Sequence, residues 1–286
     1  MGKALSPEAI QQYQRDGYLF PIRVMSEDEA AFYRTKIESF ETPEGARARI
    51  DTRYLKTSKM HLLFTWANQL IRHPRILDVV EDLIGPNLLV WGNSCWIKEP
   101  RDPGFVSWHQ DSTYWGLTPP DAVVSVWLAL TPATVENGAM RFLPKSHMLD
   151  QVPHKDTYAK DNMLSRGQIA DVDIDESKTV DVVLKPGEIS LHHIRMLHAS
   201  KPNTADSRRI GFACRYIPPH VQQMSGRESA KLVRGTDTYK HFDPEPDPTG
   251  DLDPQAIASH NAAVGKQGHV YADNDPRRDG KSLQIS

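Results

Sequence analysis

The feature that most constrains the fold is the change of pattern at Gly85-Pro86. Before it, Asn68 to Ile84 carries Leu70, Ile71, Ile76, Leu77, Val80, Leu83 and Ile84 at helical spacing. After it come short apolar runs of strand type: Leu88–Trp91, Cys95–Ile97, Val123–Leu130, Met140–Pro144, Val180–Leu184, Ile189–His193 and Arg209–Ile217. Asn137-Gly138 and Lys185-Pro186-Gly187-Glu188 supply turns between them. Helices followed by a run of strands predict an α+β chain that is mostly β, with N-terminal helices packed on a β-sandwich or jelly roll. The expected parts are a helical region at about 1–86, a core at about 87–220 and a C-terminal extension at 221–286. No linker or repeat divides them, so one domain is expected over 1–286.

Local signals fill in the ends. Ser6-Pro7-Glu8 starts a helix that Gly17 stops, and Tyr18–Pro21 reads as a short strand. Ser26-Glu27-Asp28-Glu29 is a capping box for a second helix to about Phe40. Residues 41–59 and the polar stretch 150–176 read as loops, and 243–254 as irregular. A short helix is expected at 254–264, with a loosely held end from about Val270.

Composition excludes several classes. The chain has 286 residues and net charge -3, so it lacks the basic field that nucleic acid or an anionic membrane would demand. No apolar run spans a bilayer or forms a signal peptide. Cys95 and Cys214 form no CxxC pair and read as buried thiols in a reducing compartment. A cytoplasmic monomer or homodimer with a small-molecule partner is expected.

The chemistry centres on Ser107 to Trp115, where His109 and Asp111 stand one residue apart. On an extended strand such residues share a face, so an imidazole and a carboxylate can bind one ion. A third ligand must come from elsewhere, and His192, His193 and His198 are the candidates. Adjacent His192 and His193 face opposite sides of a strand, and spacing alone does not choose among the three. Two histidines and one carboxylate leave about half of a six-coordinate shell open, the arrangement of non-haem Fe(II) oxygenases. The aromatic neighbours Trp108, Tyr114 and Trp115 fit a concave site.

Several pieces together resemble the phytanoyl-CoA dioxygenase family: Trp108-His109-Gln110-Asp111, Asn137-Gly138-Ala139-Met140-Arg141-Phe142-Leu143-Pro144-Lys145-Ser146-His147, Lys185-Pro186-Gly187-Glu188, Leu197-His198-Ala199-Ser200 with Pro202-Asn203, and Arg208-Arg209-Ile210-Gly211. The likeness covers about Tyr13 to Pro219. It departs at Lys145, where the family usually has glycine. The resemblance implies a double-stranded β-helix (a cupin-like jelly roll) and an oxidoreductase that uses Fe(II), 2-oxoglutarate and O2. It selects His198 as the third ligand beside His109 and Asp111. It assigns Arg209 and Ser200 to the far carboxylate of 2-oxoglutarate, and Gln110 and Trp127 to the wall of that pocket. His147, His192 and His193 then read as structural.

A guanidinium suits the far carboxylate because its fork makes two parallel hydrogen bonds. The implied reaction is C–H hydroxylation with release of succinate and CO2. Related halogenases lack the carboxylate ligand, so Asp111 favours hydroxylation. For the substrate, the candidates are Tyr114, Trp115, Asn93, Asn162, Arg166 and Arg215, which hint at a small polar metabolite bearing a carboxylate or phosphonate. Competing readings are a non-catalytic jelly-roll binding protein, a halogenase and a zinc hydrolase; Arg209 has no role in the last.

Overall fold

The computed structural model describes residues 2–40 and 58–273. The first half holds α1 Pro7–Asp16, β1 Tyr18–Arg23, α2 Glu27–Ser39, α3 Thr65–Leu70, α4 Pro74–Ile84, β2 Leu88–Lys98, β3 Val106–His109, α5 Ser112–Trp115, β4 Leu117–Thr118, β5 Val124–Ala129 and β6 Met140–Phe142. The second holds β7 His154–Asp156, β8 Gln168–Ala170, β9 Val180–Asp181, β10 Glu188–His193, β11 His198–Ser200, β12 Arg209–Ile217, β13 Gln222–Gln223, β14 Ser229–Arg234, β15 Asp243–Pro244 and α6 Pro254–Asp273. Most of the expected loop 41–59 lies outside the described residues, as does the chain beyond 273.

The helix signals act as local chemistry requires. The Ser6 hydroxyl accepts from Ala9 N–H, Pro7 opens α1, and Gly17 closes it at φ 82°. Ser26 accepts from Glu29 N–H at 3.1 Å to cap α2. The apolar stripe of 68–84 is split, because Pro74 cannot continue a preceding helix and instead starts α4. The two runs around Leu88 and Cys95 form one eleven-residue strand; a register shift beside Trp91 accommodates the Gly92-Asn93 step that reads as a break. The stretch 150–176 carries the β7–β8 ladder rather than only loop. Lys145 takes the left-handed conformation, φ 65°, where the family's usual glycine would sit without strain.

Seven strands form the main sheet in the order β1-β10-β5-β12-β2-β14-β15, and four form the minor sheet in the order β3-β11-β6-β9. The outer face of the main sheet carries Val90, Cys95, Val126, Leu128, Ile210, Phe212 and Cys214, against which α1, α2 and α4 bury Tyr13, Tyr33, Ile37, Leu77 and Val80. Removing a large aromatic from a core of this kind costs ~3–5 kcal/mol. The inner face meets the minor sheet across Trp127, Ala129, Ala213, Phe142 and Met196. The tilted ring pair Tyr18–Phe142, 5.3 Å between centroids, joins β1 to β6 across that gap. Both cysteines are buried thiols that form no disulfide among the described residues. Among the described residues no helix is long and apolar enough to cross a membrane.

The C-terminal extension is built into this frame. β14 pairs with β2, and Glu245 lies buried beside Lys59 and His61, at 2.6 Å from each. Burial alone would raise the Glu245 carboxyl, but Lys59 and His61 hold it at about 2, below its ordinary 4.5. The depressed value makes this pairing a source of stability above about pH 4.5 that fades as pH falls toward 2. Breaking one partner of a buried pair typically costs ~3–5 kcal/mol, so Glu245→Ala is expected to lower the urea midpoint strongly at neutral pH. The gap between wild type and Glu245→Gln should shrink as unfolding is measured below about pH 4.5.

Candidate metal centre

β3 ends at His109 and β11 begins at His198. The two residues are register partners in the minor sheet, and their rings lie 4.1 Å apart between centroids. Each Nδ1 faces a main-chain carbonyl at 2.9 Å, Ser107 for His109 and Met196 for His198. An Nδ1–H donating there leaves Nε2 as the lone-pair atom, the tautomer that a metal ligand needs. Burial and the neighbouring His109 push His198 well below the ordinary imidazole value, so it is neutral at pH 7.

Asp111 completes the group, though not by strand alternation. The strand stops at His109, and Asp111 adopts helical angles (φ -60°, ψ -32°) as the residue that leads into α5. This turn swings its carboxylate back, so that Oδ1 lies 3.5 Å from His109 Nε2 and 3.9 Å from His198 Nε2. All three residues are buried, and their ligand atoms fall within 4.8 Å of one another. Two imidazole nitrogens and a carboxylate oxygen gathered this closely fit a divalent transition metal.

The second Asp111 oxygen is held too. Ser125 Oγ stands 3.3 Å from Oδ2 and His192 Nε2 stands 3.6 Å from it. Burial opposes ionisation of Asp111, but the imidazoles of His109 and His192 beside it keep it well below the usual carboxylate range. His192, expected to be structural, is 4% exposed and turns Nε2 toward Asp111 Oδ2, and neither of its ring nitrogens makes a hydrogen bond among the described residues. His147 and His193 do bond locally, to the Gln14 carbonyl and the Arg195 N–H.

Arg209 begins β12 and is 2% exposed. Its guanidinium bonds the Gly138 carbonyl and lies 5.5 Å from the Trp127 ring, while its Nε has no partner. Ser200 Oγ, also buried, has none either. Arg208 points the other way, to Glu99 and Glu38. Lys98, which sequence reasoning did not single out, is the register partner of Arg209 across β2 and is fully buried. Burial first and Arg209 second lower its ammonium from 10.5 to about 7. Two basic groups side by side, with no carboxylate in contact among the described residues, are the chemistry that would suit an anion.

Gln110 is not brought to this pocket. Its amide is spent on the Arg195 carbonyl at 2.9 Å, the Val152 N–H at 2.9 Å and the Gln151 amide at 3.0 Å, which ties the 150–154 segment to the turn. Lying between two inward ligands, it points outward, as does Trp108, whose Nε1 meets Glu176. Asn93 is also turned away: the shift beside Trp91 puts its amide against His61 Nδ1 at 2.5 Å, while Ser94 faces inward. Asn162 holds the Ser107 hydroxyl at 2.8 Å. Arg166 lies 3.8 Å from Asp156 and reaches the Gln168 amide, which in turn bonds Tyr114 Oη. The Tyr114 ring meets His109 edge-on at 6.1 Å. Arg215 stands 5.1 Å over Trp115, next to Tyr114 in the chain. Tyr114 thus meets His109, and Arg215, over Trp115, lies on the strand beside Ser125, which touches Asp111, whereas Asn93, Asn162 and Arg166 do not reach the triad directly.

Comparison with known proteins agrees with this geometry. The chain is 30% identical over 159 residues to a Stutzerimonas stutzeri protein described as a probable alpha-ketoglutarate-dependent hypophosphite dioxygenase, over 54% of each chain. It is 26% identical over 278 residues to the ectoine dioxygenase of Bordetella parapertussis, covering 83% of this chain and 87% of that one. The chain spans about half the length of the first curated relatives it matches, such as 50% of a Caenorhabditis briggsae homolog of phytanoyl-CoA dioxygenase domain-containing protein 1. Among solved structures, apo ThoJ, described as a non-heme monooxygenase, superposes with a TM-score of 0.85 at 36% identity, over 93% of this chain and 98% of that chain. CytC3 with Fe(II) and alpha-ketoglutarate superposes with a TM-score of 0.65 at 25% identity, over 89% and 98%. The fold is the jelly roll of these neighbours with helices on one face. The family model described as Phytanoyl-CoA dioxygenase (PhyH) matches residues 13–211, well over half of the sequence, and the chain belongs to that family.

Proposed function

We propose that the protein is an Fe(II)- and 2-oxoglutarate-dependent dioxygenase that hydroxylates a C–H bond of a small polar metabolite and releases succinate and CO2. The observation that carries this reading is the pairing of His109, Asp111 and His198 with a separate, fully buried cation pair inside the same sandwich. A zinc hydrolase would use the first and leave the second without purpose. The relatives named for hypophosphite and ectoine support a small polar substrate.

The chain's residues divide the work. His109, Asp111 and His198 would hold Fe(II) on one side and leave the other side of its coordination sphere to ligands from solution. Bound there, Fe(II) supplies the redox chemistry that activates O2. Ser125 and His192 meet the far oxygen of Asp111 and fix the plane of that carboxylate. Arg209 offers its unpaired Nε–H, Ser200 its unpaired hydroxyl and Lys98 its ammonium to the far carboxylate of 2-oxoglutarate. That anion would face two basic groups whose present acceptors are the Gly138 and Lys201 carbonyls. Trp127 walls the pocket and orients the guanidinium by stacking. Tyr114 and Trp115 cover the opposite side, where a substrate must enter and water must be kept out.

Succinate formation with anaerobically loaded Fe(II) tests the assignment. His109→Ala and Asp111→Ala should abolish it; undiminished turnover in either would reject the reading. Arg209→Ala should raise the 2-oxoglutarate KM by ~10–100-fold with metal affinity retained, since one charged hydrogen-bonding partner contributes ~1.5–3 kcal/mol. A pH titration tests Lys98. Its free ammonium titrates at about 7 and an anion raises that value, so affinity is greatest below 7 and falls above it. The decline approaches tenfold per pH unit, which calorimetry of 2-oxoglutarate binding to the anaerobic Co(II) protein should reveal in wild type and miss in Lys98→Met.

A further inference from the structure

We infer that Arg215, with Ser94 and Trp115, is the subsite for a carboxylate carried by the substrate. The inference rests on the dioxygenase reading above and supplies its missing substrate class. Along β12, residues of one parity face the interior: Arg209, Gly211, Ala213 and Arg215. The first and last place a guanidinium at each end of the row. Arg209 shares its end with Lys98. Arg215 shares its end with the metal ligands: its register partner on β5 is Ser125, whose hydroxyl touches Asp111, and Trp115 follows Asp111 by one turn of α5.

The Arg215 side chain is held as a receptor, not as a salt bridge. Nη1 donates to Ser94 Oγ at 2.6 Å, and the guanidinium lies 5.1 Å over the Trp115 ring. Ser94 Oγ is itself braced by Trp96 Nε1 at 3.1 Å. Among the described residues no carboxylate lies within ion-pair distance of Arg215. One nitrogen is committed and one face is stacked, which leaves the Nε–Nη2 edge. Two parallel N–H groups on a fixed plane match the two oxygens of a single carboxylate. The balance of charge points the same way. Among the described residues Asp111 is the carboxylate set against the three histidines, while Lys98, Arg209 and Arg215 bring three basic side chains to the strands around it, so with Fe(II) present a dianionic cosubstrate still leaves an excess of positive charge. The competing occupant is the far carboxylate of 2-oxoglutarate itself, and it predicts a different outcome below.

The experiment uses the full chain, anaerobic and loaded with Fe(II) and 2-oxoglutarate. Acetate, benzoate and N-acetylglycine are titrated while Trp emission and heat are recorded, each against its neutral amide. At least one carboxylate should bind and its amide should not. Arg215→Gln should weaken that binding ~10–100-fold, in line with loss of a charged two-point contact, and leave 2-oxoglutarate affinity within about twofold. Arg215→Lys should recover only part, because an ammonium lacks the fork. Failure of all three acids to bind the wild type, equal binding of acid and amide, or full binding by Arg215→Gln would each overturn the inference. A large loss of 2-oxoglutarate affinity in Arg215→Gln would overturn it by assigning the residue to the cosubstrate. Should the wild type fail to take up Fe(II) or 2-oxoglutarate at all, the dioxygenase reading fails, while the acid-against-amide comparison on the metal-free His109→Ala protein still decides for or against Arg215.

Discussion

The site depends on the pairing of two strands from remote parts of the chain. His109 and His198 are opposite one another across β3 and β11, and this register alone brings their rings together. A slip of one residue in either strand would turn a histidine from the interior to the outer face, because side chains alternate along a strand. β11 is only three residues long, so its own hydrogen bonds cannot enforce the register. It is held from its other edge, where His198, Ala199 and Ser200 pair with Phe142, Arg141 and Met140 of β6. Phe142 then anchors β6 against Tyr18 and Phe20 of the main sheet. The closeness of the two imidazoles is thus a consequence of aromatic packing in the layer beneath them.

Electrostatics divides the interior into two unlike regions. Around Asp111 the charge is answered by side chains: three imidazoles and a serine hydroxyl surround one carboxylate. Around Arg209 it is not, since a guanidinium and an ammonium share a buried corner and only main-chain carbonyls answer them. Such a corner costs stability in the free protein, and that cost is recovered only when an anion enters. The Lys59–Glu245–His61 group, toward the other end of β2, shows a buried cation treated differently by this same chain: Lys59 donates to a carboxylate and two carbonyls.

Much of this was legible in the sequence. The pattern change at Gly85-Pro86, the Ser6 and Ser26 caps, and the apolar strands around Val126 and Phe212 each depend on a few adjacent residues. What escaped depends on partners far along the chain. Lys98 ends an apolar strand like many surface lysines; only its register with Arg209 makes it part of a cation pair. Asn93 and Ser94 are neighbours, and which faces inward is settled by the irregularity beside Trp91, which has no local sequence mark beyond Gly92. Asp111 reached the expected place by an unexpected route, a turn into α5 rather than continuation of β3. His192 looked interchangeable with His193 until strand parity fixed one toward Asp111 and the other toward Asp121.

Gly211 makes the space that the Trp127 ring fills. A Cβ built there would lie 1.9 Å from Trp127 Cζ2, so the indole occupies the space that any other residue would need. The ring lies flat across β12, between the two guanidiniums of the same strand, and stacks on the first of them at 5.5 Å. Its edges are fixed by neighbours on β10 and β12, where Ser190 and Ala213 are its register partners. Small residues at positions 211 and 213 thus serve a purpose that glycine flexibility does not: they make room for a rigid wall. With the wall fixed, Arg209 keeps one orientation instead of sampling many, and the entropy of ordering that long side chain is lost on folding rather than on binding.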